Sequence, residues 1–176
     1  LRFGLGGLKG VGSAALVSIL EAREKDGPFC DFSEFLSRID MSKVNKAVLE
    51  SLIRTGAFSS FNLKRKTLND SLEQIIQQAA VIQKNKNSNQ RSLFGAEEAA
   101  SVVIPKEYME SDEWTENEII KYEKDIAGIY ITHNPSDKFH FEIKKVSNTP
   151  ITDIAARHFK GEVVRIGGVI TQLTQR

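Results

Sequence analysis

Two stretches of this chain, 33 residues apart, can be laid over one another, and that repeat limits the possible fold more than any other feature. The first is GLKGVGSAALVSILEAR, from Gly7 to Arg23; the second is MSKVNKAVLESLIRTGAF, from Met41 to Phe58. Setting Gly10 over Lys43 places Val11 on Val44, Ala14 on Ala47, Leu16 on Leu49 and Ile19 on Leu52. Repetition at a fixed period marks one supersecondary unit used twice, since such a unit cannot bury its apolar side alone. Each copy reads as a turn running into a helix. Between them, Asp31 and Glu34 form a capping box for a short helix that buries Phe32, Phe35, Leu36 and Ile39.

The first turn is Gly10-Val11-Gly12, with Lys9 before it. Glycine is the usual residue where the backbone takes positive φ or approaches another molecule closely. Ser13 is placed to cap the following helix, whose apolar side is Leu16, Ile19 and Leu20 and which Gly27-Pro28 ends. Free backbone N–H groups at a helix start suit a phosphate. The sharper phosphate motifs do not apply: a Walker loop ends in Gly-Lys-Ser/Thr, whereas Lys9 precedes Gly10, and no strand leads into a dinucleotide fingerprint. The second copy has Lys43-Val44-Asn45 in place of the glycines. Asparagine tolerates the left-handed region and also caps helices, so the turn can keep its shape while Lys43 and Lys46 add charge. The competing reading is a packing duplication with solvated lysines and a glycine connection that binds nothing.

The remaining pattern is also mainly helical. Leu68, Leu72, Ile75, Ile76 and Ala79 form one amphipathic face, which fades into the polar run Lys84–Asn89, expected as a linker. Gln90-Arg91-Ser92-Leu93-Phe94-Gly95 follows, with two large apolar residues in no periodic setting. Thr115 and Glu118 open a helix carrying Ile119, Tyr122 and Ile126; Pro135-Ser136-Asp137 opens a shorter one. Glu162 to Leu173 is the one convincing strand, with Gly167-Gly168 suggesting a bulge or bend.

Charge is unevenly spread. Residues 1–94 carry fourteen Lys/Arg against nine Asp/Glu, and residues 95–176 carry ten against fourteen, within a net charge of +1. A basic half hints at a polyanionic partner. Cys30 is the single cysteine, so no internal disulfide forms and a reducing, cytoplasmic setting is expected. No apolar run is long enough to span a membrane, and no signal peptide is expected. Leu1 at the start and the ending Gln172–Arg176 read as a piece of a longer protein. No catalytic constellation is apparent. His133, His140 and His158 lack partners at metal-ligand spacing, the carboxylates of 107–118 follow a solubilising pattern, and Trp114 reads as a packing anchor.

The paired turns resemble tandem helix-hairpin-helix units, in which a glycine turn offers amides to phosphates of duplex DNA without reading base sequence. The resemblance extends further. LRFGLGGLKGVG, KVNKAVLESLIRTGAF, YEKDIAGIYITHNP and EVVRIGGVIT occur in the order seen in the alpha-subunit family of bacterial replicative DNA polymerase III. One departure is His133-Asn134-Pro135, where many relatives have Gly-His-Pro, which leaves the local turn geometry open.

The family resemblance implies a mainly α fold: tandem helix-hairpin-helix, further helices, then the first strand of an incomplete OB domain. The expected organisation is a DNA-binding unit at 1–59, an amphipathic helix at 60–83, a linker at 84–104, a helical connection at 105–160 and the OB start at 161–176. The implied DNA-binding residues are Lys9, Gly10, Val11, Gly12, Lys43, Asn45 and Lys46. Gln90, Ser92, Leu93 and Phe94 match the family's internal peptide for the sliding clamp, the beta subunit. The parent would be a DNA-directed DNA polymerase using divalent metal, Mg, held by carboxylates upstream of Leu1. This segment would then need no cofactor of its own and would meet DNA, the clamp and other replicase subunits, but no membrane. A helix-hairpin-helix segment of a repair nuclease or ligase would account for 1–59 but not for the clamp-like peptide or the strand.

Overall fold

The computed structural model describes residues 4–87, 108–154, 161–170 and 173–175. It divides into two compact units, Leu1–Ile129 and Tyr130–Arg176. In the first lie α1 (Ser13–Asp26), α2 (Phe32–Arg38), α3 (Lys46–Arg54), α4 (Arg65–Asn87) and α5 (Glu116–Ala127). The second holds α6 (His140–Val146).

The repeat becomes two helical hairpins whose helices are α1 and α3. Gly12, in extended conformation, is the N-cap of α1, so Ser13 is the first helical residue and not the cap expected of it. The buried side of α1 is Ala15, Ser18, Ile19 and Ala22, while Leu20 is exposed and Leu16 only half buried. Three of these four residues are small, and Val17 and Leu20 fall on the outer face. Gly27 ends the helix at φ +80°, a value only glycine takes without strain. Arg38, from the end of α2, donates to the carbonyls of Ala22 and Gly27 and lies 4.4 Å over the Phe29 ring. It therefore satisfies the Gly27 carbonyl beyond the end of α1 and gives the Ala22 carbonyl a second donor.

α2 buries Phe32, Phe35 and Leu36, as its spacing predicts, and Ile39 is buried just past its end. Its capping box is modified: Asp31 accepts from Glu34 N at 2.8 Å, while the Glu34 carboxylate reaches back to Cys30 N at 2.6 Å. Phe32 and Phe35 meet Phe58 edge-on, each with ring centres 4.9 Å apart. α3 lies at the centre of the unit, packed on α4 and α5. Val48, Leu49, Leu52 and Ile53 are all buried there, against Leu68, Leu72, Ile75 and Ala79 of α4 in one continuous core. Full burial of such a side chain is worth roughly 1.5–3 kcal/mol over leaving it exposed. α4 continues to Asn87, so Lys84–Asn87 extend the helix and do not begin a linker.

The chain returns at Tyr108 along the first turns of α4. Met109 N donates to Ser71 Oγ at 2.8 Å, and Ser111 N donates to Thr67 Oγ1 at 3.2 Å. Thr115 and Glu118 form a complete capping box for α5. Trp114 is partly buried against the core and meets Tyr122 at 4.7 Å, an anchor as expected.

In the second unit, a 3-10 turn at Asp137–Phe139 leads into α6. Among the described residues no strand is formed; residues 161–170 carry neither helix nor ladder. Asn148 supplies what a neighbouring strand would have supplied. Its N–H donates to Arg165 O at 3.0 Å, its Oδ1 accepts from Arg165 N at 2.8 Å, and its Nδ2 donates to Val163 O at 2.9 Å. Gly167 marks a close approach in place of the expected bulge: a Cβ there would stand 2.9 Å from Ile143 Cγ2.

Candidate nucleic-acid interface

The first turn takes its shape from Gly10, at φ +86°. Val11 N donates to Leu8 O at 3.2 Å, and Lys9 N donates to Ile126 O at 3.0 Å. Two of the turn's amides are therefore committed inside the protein. Val11 is itself buried, so among the expected contact residues it can only shape the turn. Gly10, Gly12, Ser13 and Ala14 are exposed, and among the described residues no protein acceptor meets their N–H groups. The result is a run of outward donors from the turn into the first turn of α1.

The second turn reaches a similar end by other means. No residue in it takes positive φ, so the left-handed tolerance of asparagine is not used. Asp40 organises it: its carbonyl accepts from Lys43 N at 3.0 Å and Val44 N at 2.9 Å, and its Oδ1 accepts from Ser42 N and Oγ. The Ser42 hydroxyl first, then the Ser42 N–H and Lys43, hold the Asp40 carboxyl below its ordinary range. Asn45 sits at φ −76° and caps α3, its Oδ1 accepting from Val48 N at 3.1 Å.

Each hairpin helix also faces the other hairpin's turn. Ser18 Oγ, on α1, accepts from Asp40 N at 3.0 Å. Ser51, which stands 33 positions after Ser18, lies on α3 against the first turn: a Cβ on Gly10 would be 3.1 Å from its Oγ. The two serines occupy the same place in the repeat, a signal the apolar alignment passed over. They make the two turns parts of one surface, not separate modules.

The lysines differ in their surroundings. Lys9 is exposed and has no carboxylate partner among the described residues. Lys43 pairs with Asp40 at 3.4 Å and Lys46 with Glu73 at 3.2 Å, all four side chains being well exposed. Surface pairs of this kind contribute about 0–1 kcal/mol, so a phosphate can displace them at little cost.

Electrostatics separates these helices from their neighbours. A helix N-terminus carries about half a positive charge and is stabilised by a nearby carboxylate. α2 begins on Asp31 and Glu34, and α5 on Glu116 and Glu118. α4 has no acidic residue in its first turn, yet Glu113 caps it from outside, accepting from Arg65 N at 2.8 Å and Lys66 N at 3.1 Å. The first turns of α1 and α3 contain no acidic residue, and Lys46 even opens α3.

One charged pair escapes sequence reasoning. Glu123 on α5 is fully buried and meets Arg65 Nη1 at 2.9 Å. The expected clamp residues Gln90, Ser92, Leu93 and Phe94 lie outside the described residues. Among the described residues no cluster of three His, Cys, Asp or Glu could hold a metal, and no helix is long and apolar enough to cross a membrane. His133 and His140 are exposed, and His158 falls outside the described residues.

Residues 1–68 match the family model described as a helix-hairpin-helix motif. Over nearly the whole chain there is similarity to proteins named DNA polymerase III subunit alpha. The one from Campylobacter jejuni subsp. jejuni is 36% identical over 95% of this chain and 14% of the relative. That from Borreliella burgdorferi is 32% identical over 98% of this chain and 15% of its own length. That from Mycobacterium leprae is 28% identical over 100% and 15% respectively. The chain thus spans about one seventh of the length of the curated relatives it matches.

Proposed function

Since the chain belongs to the DNA polymerase III alpha-subunit family, of which it matches one segment, we propose that its two hairpins hold duplex DNA by the phosphate backbone. The observation that carries this reading is the pair of helix N-termini, α1 and α3, that present free N–H groups with no acidic residue in their first turns. A phosphate oxygen supplies the missing negative charge and accepts from the amides of Gly10, Gly12, Ser13 and Ala14. Lys9, Lys43 and Lys46 add Coulomb attraction, with Lys43 and Lys46 exchanging a carboxylate for a phosphate. Asn45 serves by setting the start of α3, and Val11 by filling the core under the first turn. Contacts of this kind fix position on a duplex and carry no base information.

Similarity to proteins named DNA polymerase III subunit alpha supports a wider role. The parent protein is a template-directed DNA polymerase dependent on divalent metal, and this segment keeps it on the duplex it has made. Gln90, Ser92, Leu93 and Phe94 form the peptide that tethers it to the sliding clamp, the glutamine amide bonding at a pocket rim while Leu93 and Phe94 supply burial. Residues 161–176 begin the OB domain.

Titration of the chain with duplexes of unrelated sequence, at several salt concentrations, tests the DNA reading. With about four phosphates neutralised, log affinity falls against log salt with a slope of roughly −3 to −4, alike for every sequence. A flat salt response or a strong sequence preference overturns it.

A further inference from the structure

Two contacts, within one turn of α5, tie that helix to both hairpins. Arg65 Nη1 donates to Glu123 Oε1 at 2.9 Å and to Arg54 O, at the end of α3, at 3.1 Å. Gly56 makes room for this: it takes φ +77°, and a Cβ there would stand 2.5 Å from Arg65 Nη2. Three residues beyond Glu123, Ile126 O accepts from Lys9 N at 3.0 Å, next to the Gly10 that shapes the first turn. A single helix therefore holds the end of one hairpin helix and the turn of the other.

A buried ion pair is a poor way to gain stability, because an apolar pair of similar volume often does as well or better. Its planar, hydrogen-bonded geometry does something an apolar pair cannot, which is to fix one orientation. We infer that Arg65 and Glu123 are positioning residues of the DNA interface. Their ion pair sets α5 so that Ile126 O holds Lys9 N, and the Gly10 turn faces the same backbone as the second turn. The inference rests on the DNA-binding reading above. Glu123 is fully buried, so it acts on DNA only through what it holds in place.

The test compares the whole chain with its Glu123→Gln and Arg65→Lys variants, using a mixed-sequence duplex as probe. Folding is followed by far-ultraviolet circular dichroism, and the Lys9 amide by hydrogen exchange. Both variants are expected to bind roughly 2- to 30-fold more weakly, as when coupling through a packed network is altered. The salt slope stays the same, because no phosphate contact is removed; a contact lysine changed to alanine lowers it by about one. The Lys9 amide exchanges faster in both variants while the helical signal is kept. Unchanged affinity together with unchanged Lys9 exchange in the folded variants overturns the inference. So does a reduced salt slope, which would make these residues direct contacts. If Glu123→Gln loses its fold, Arg65→Lys, which keeps the charge but not the planar fork, decides by the same two readouts. Failure of the DNA reading looks different: the unsubstituted chain itself then lacks salt-dependent binding.

Discussion

In the first unit, α2, α4 and α5 begin against carboxylates, whereas the first turns of α1 and α3 contain none. The capped helices show what local stability asks for. Asp31, Glu113 and Glu118 each stand where they satisfy open N–H groups and offset the helix dipole. The same chain therefore supplies anions at the starts of α2, α4 and α5 and leaves them out of the first turns of α1 and α3. The difference teaches that the bare ends are suited to an anion from outside, and that the repeat duplicates a surface as well as a packing unit.

The most direct way to break the comparison is to make the hairpin helices resemble the others. Gly12→Asp combined with Asn45→Asp places a carboxylate at both N-caps; a Cβ on Gly12 meets nothing within 4 Å, and neither residue has positive φ. Thermal stability should rise by about 0.3–1 kcal/mol per site. DNA affinity should fall by roughly a hundredfold, because each carboxylate repels the phosphate that would sit there. A melting curve beside a binding titration reads both, and a stabilised protein with intact DNA binding refutes the contrast.

Gly10→Val should have the next largest effect. The left-handed conformation costs a β-branched residue about 1–2 kcal/mol, and the new Cβ would lie 3.1 Å from Ser51 Oγ. Stability drops by that amount, helical content stays, and DNA binding falls further than for Lys9→Ala. Binding by Gly10→Val equal to that of the unsubstituted chain would show that the glycine matters for packing alone.

Glu113→Ala sharpens the comparison from the other side. Uncapping α4 should cost about 1 kcal/mol in urea denaturation, in the range of a lost N-cap, with no change in DNA affinity. A parallel loss of binding would mean that the capped helices also belong to the interface.

Acid has the smallest expected effect. Glu34 is held below the ordinary value of 4.5, chiefly by the Cys30 N–H; Glu118 is lowered chiefly by the Thr115 hydroxyl and then its N–H. Both folded pKa values are depressed, so their contribution is complete above about 4.5 and is lost as pH falls through the lower folded values. Amide protection in the first turns of α2 and α5 should decline over that window, while the start of α1, with no carboxylate to protonate, keeps its profile. Uniform loss across all three helices would show global acid unfolding instead.

Much of this protein is decided locally and could be read from the chain. The repeat, the periodic apolar faces of α2, α3 and α4, the Thr115–Glu118 box and the Gly27 stop depend on residues within a few positions of one another. So does the φ of Gly10, because the cost of positive φ is intrinsic to a residue with a Cβ. Other features arise only when distant segments meet. The inward face of α1 joins Ala15, Ser18 and Ala22 to the expected Ile19 and leaves Leu20 outside, which the apolar pattern does not foresee. The second turn rests on Asp40, where alignment pointed to asparagine. Lys9 N is taken by Ile126 O, more than a hundred positions away, so it leaves the set of free donors. Arg65, Glu123 and Gly56 come together from three segments, and in the sequence they are an ordinary charged pair and a helix-end glycine. Residues 162–173 have the composition of a strand, yet the described part forms no ladder, because a strand needs a partner whose hydrogen bonds the segment cannot provide for itself.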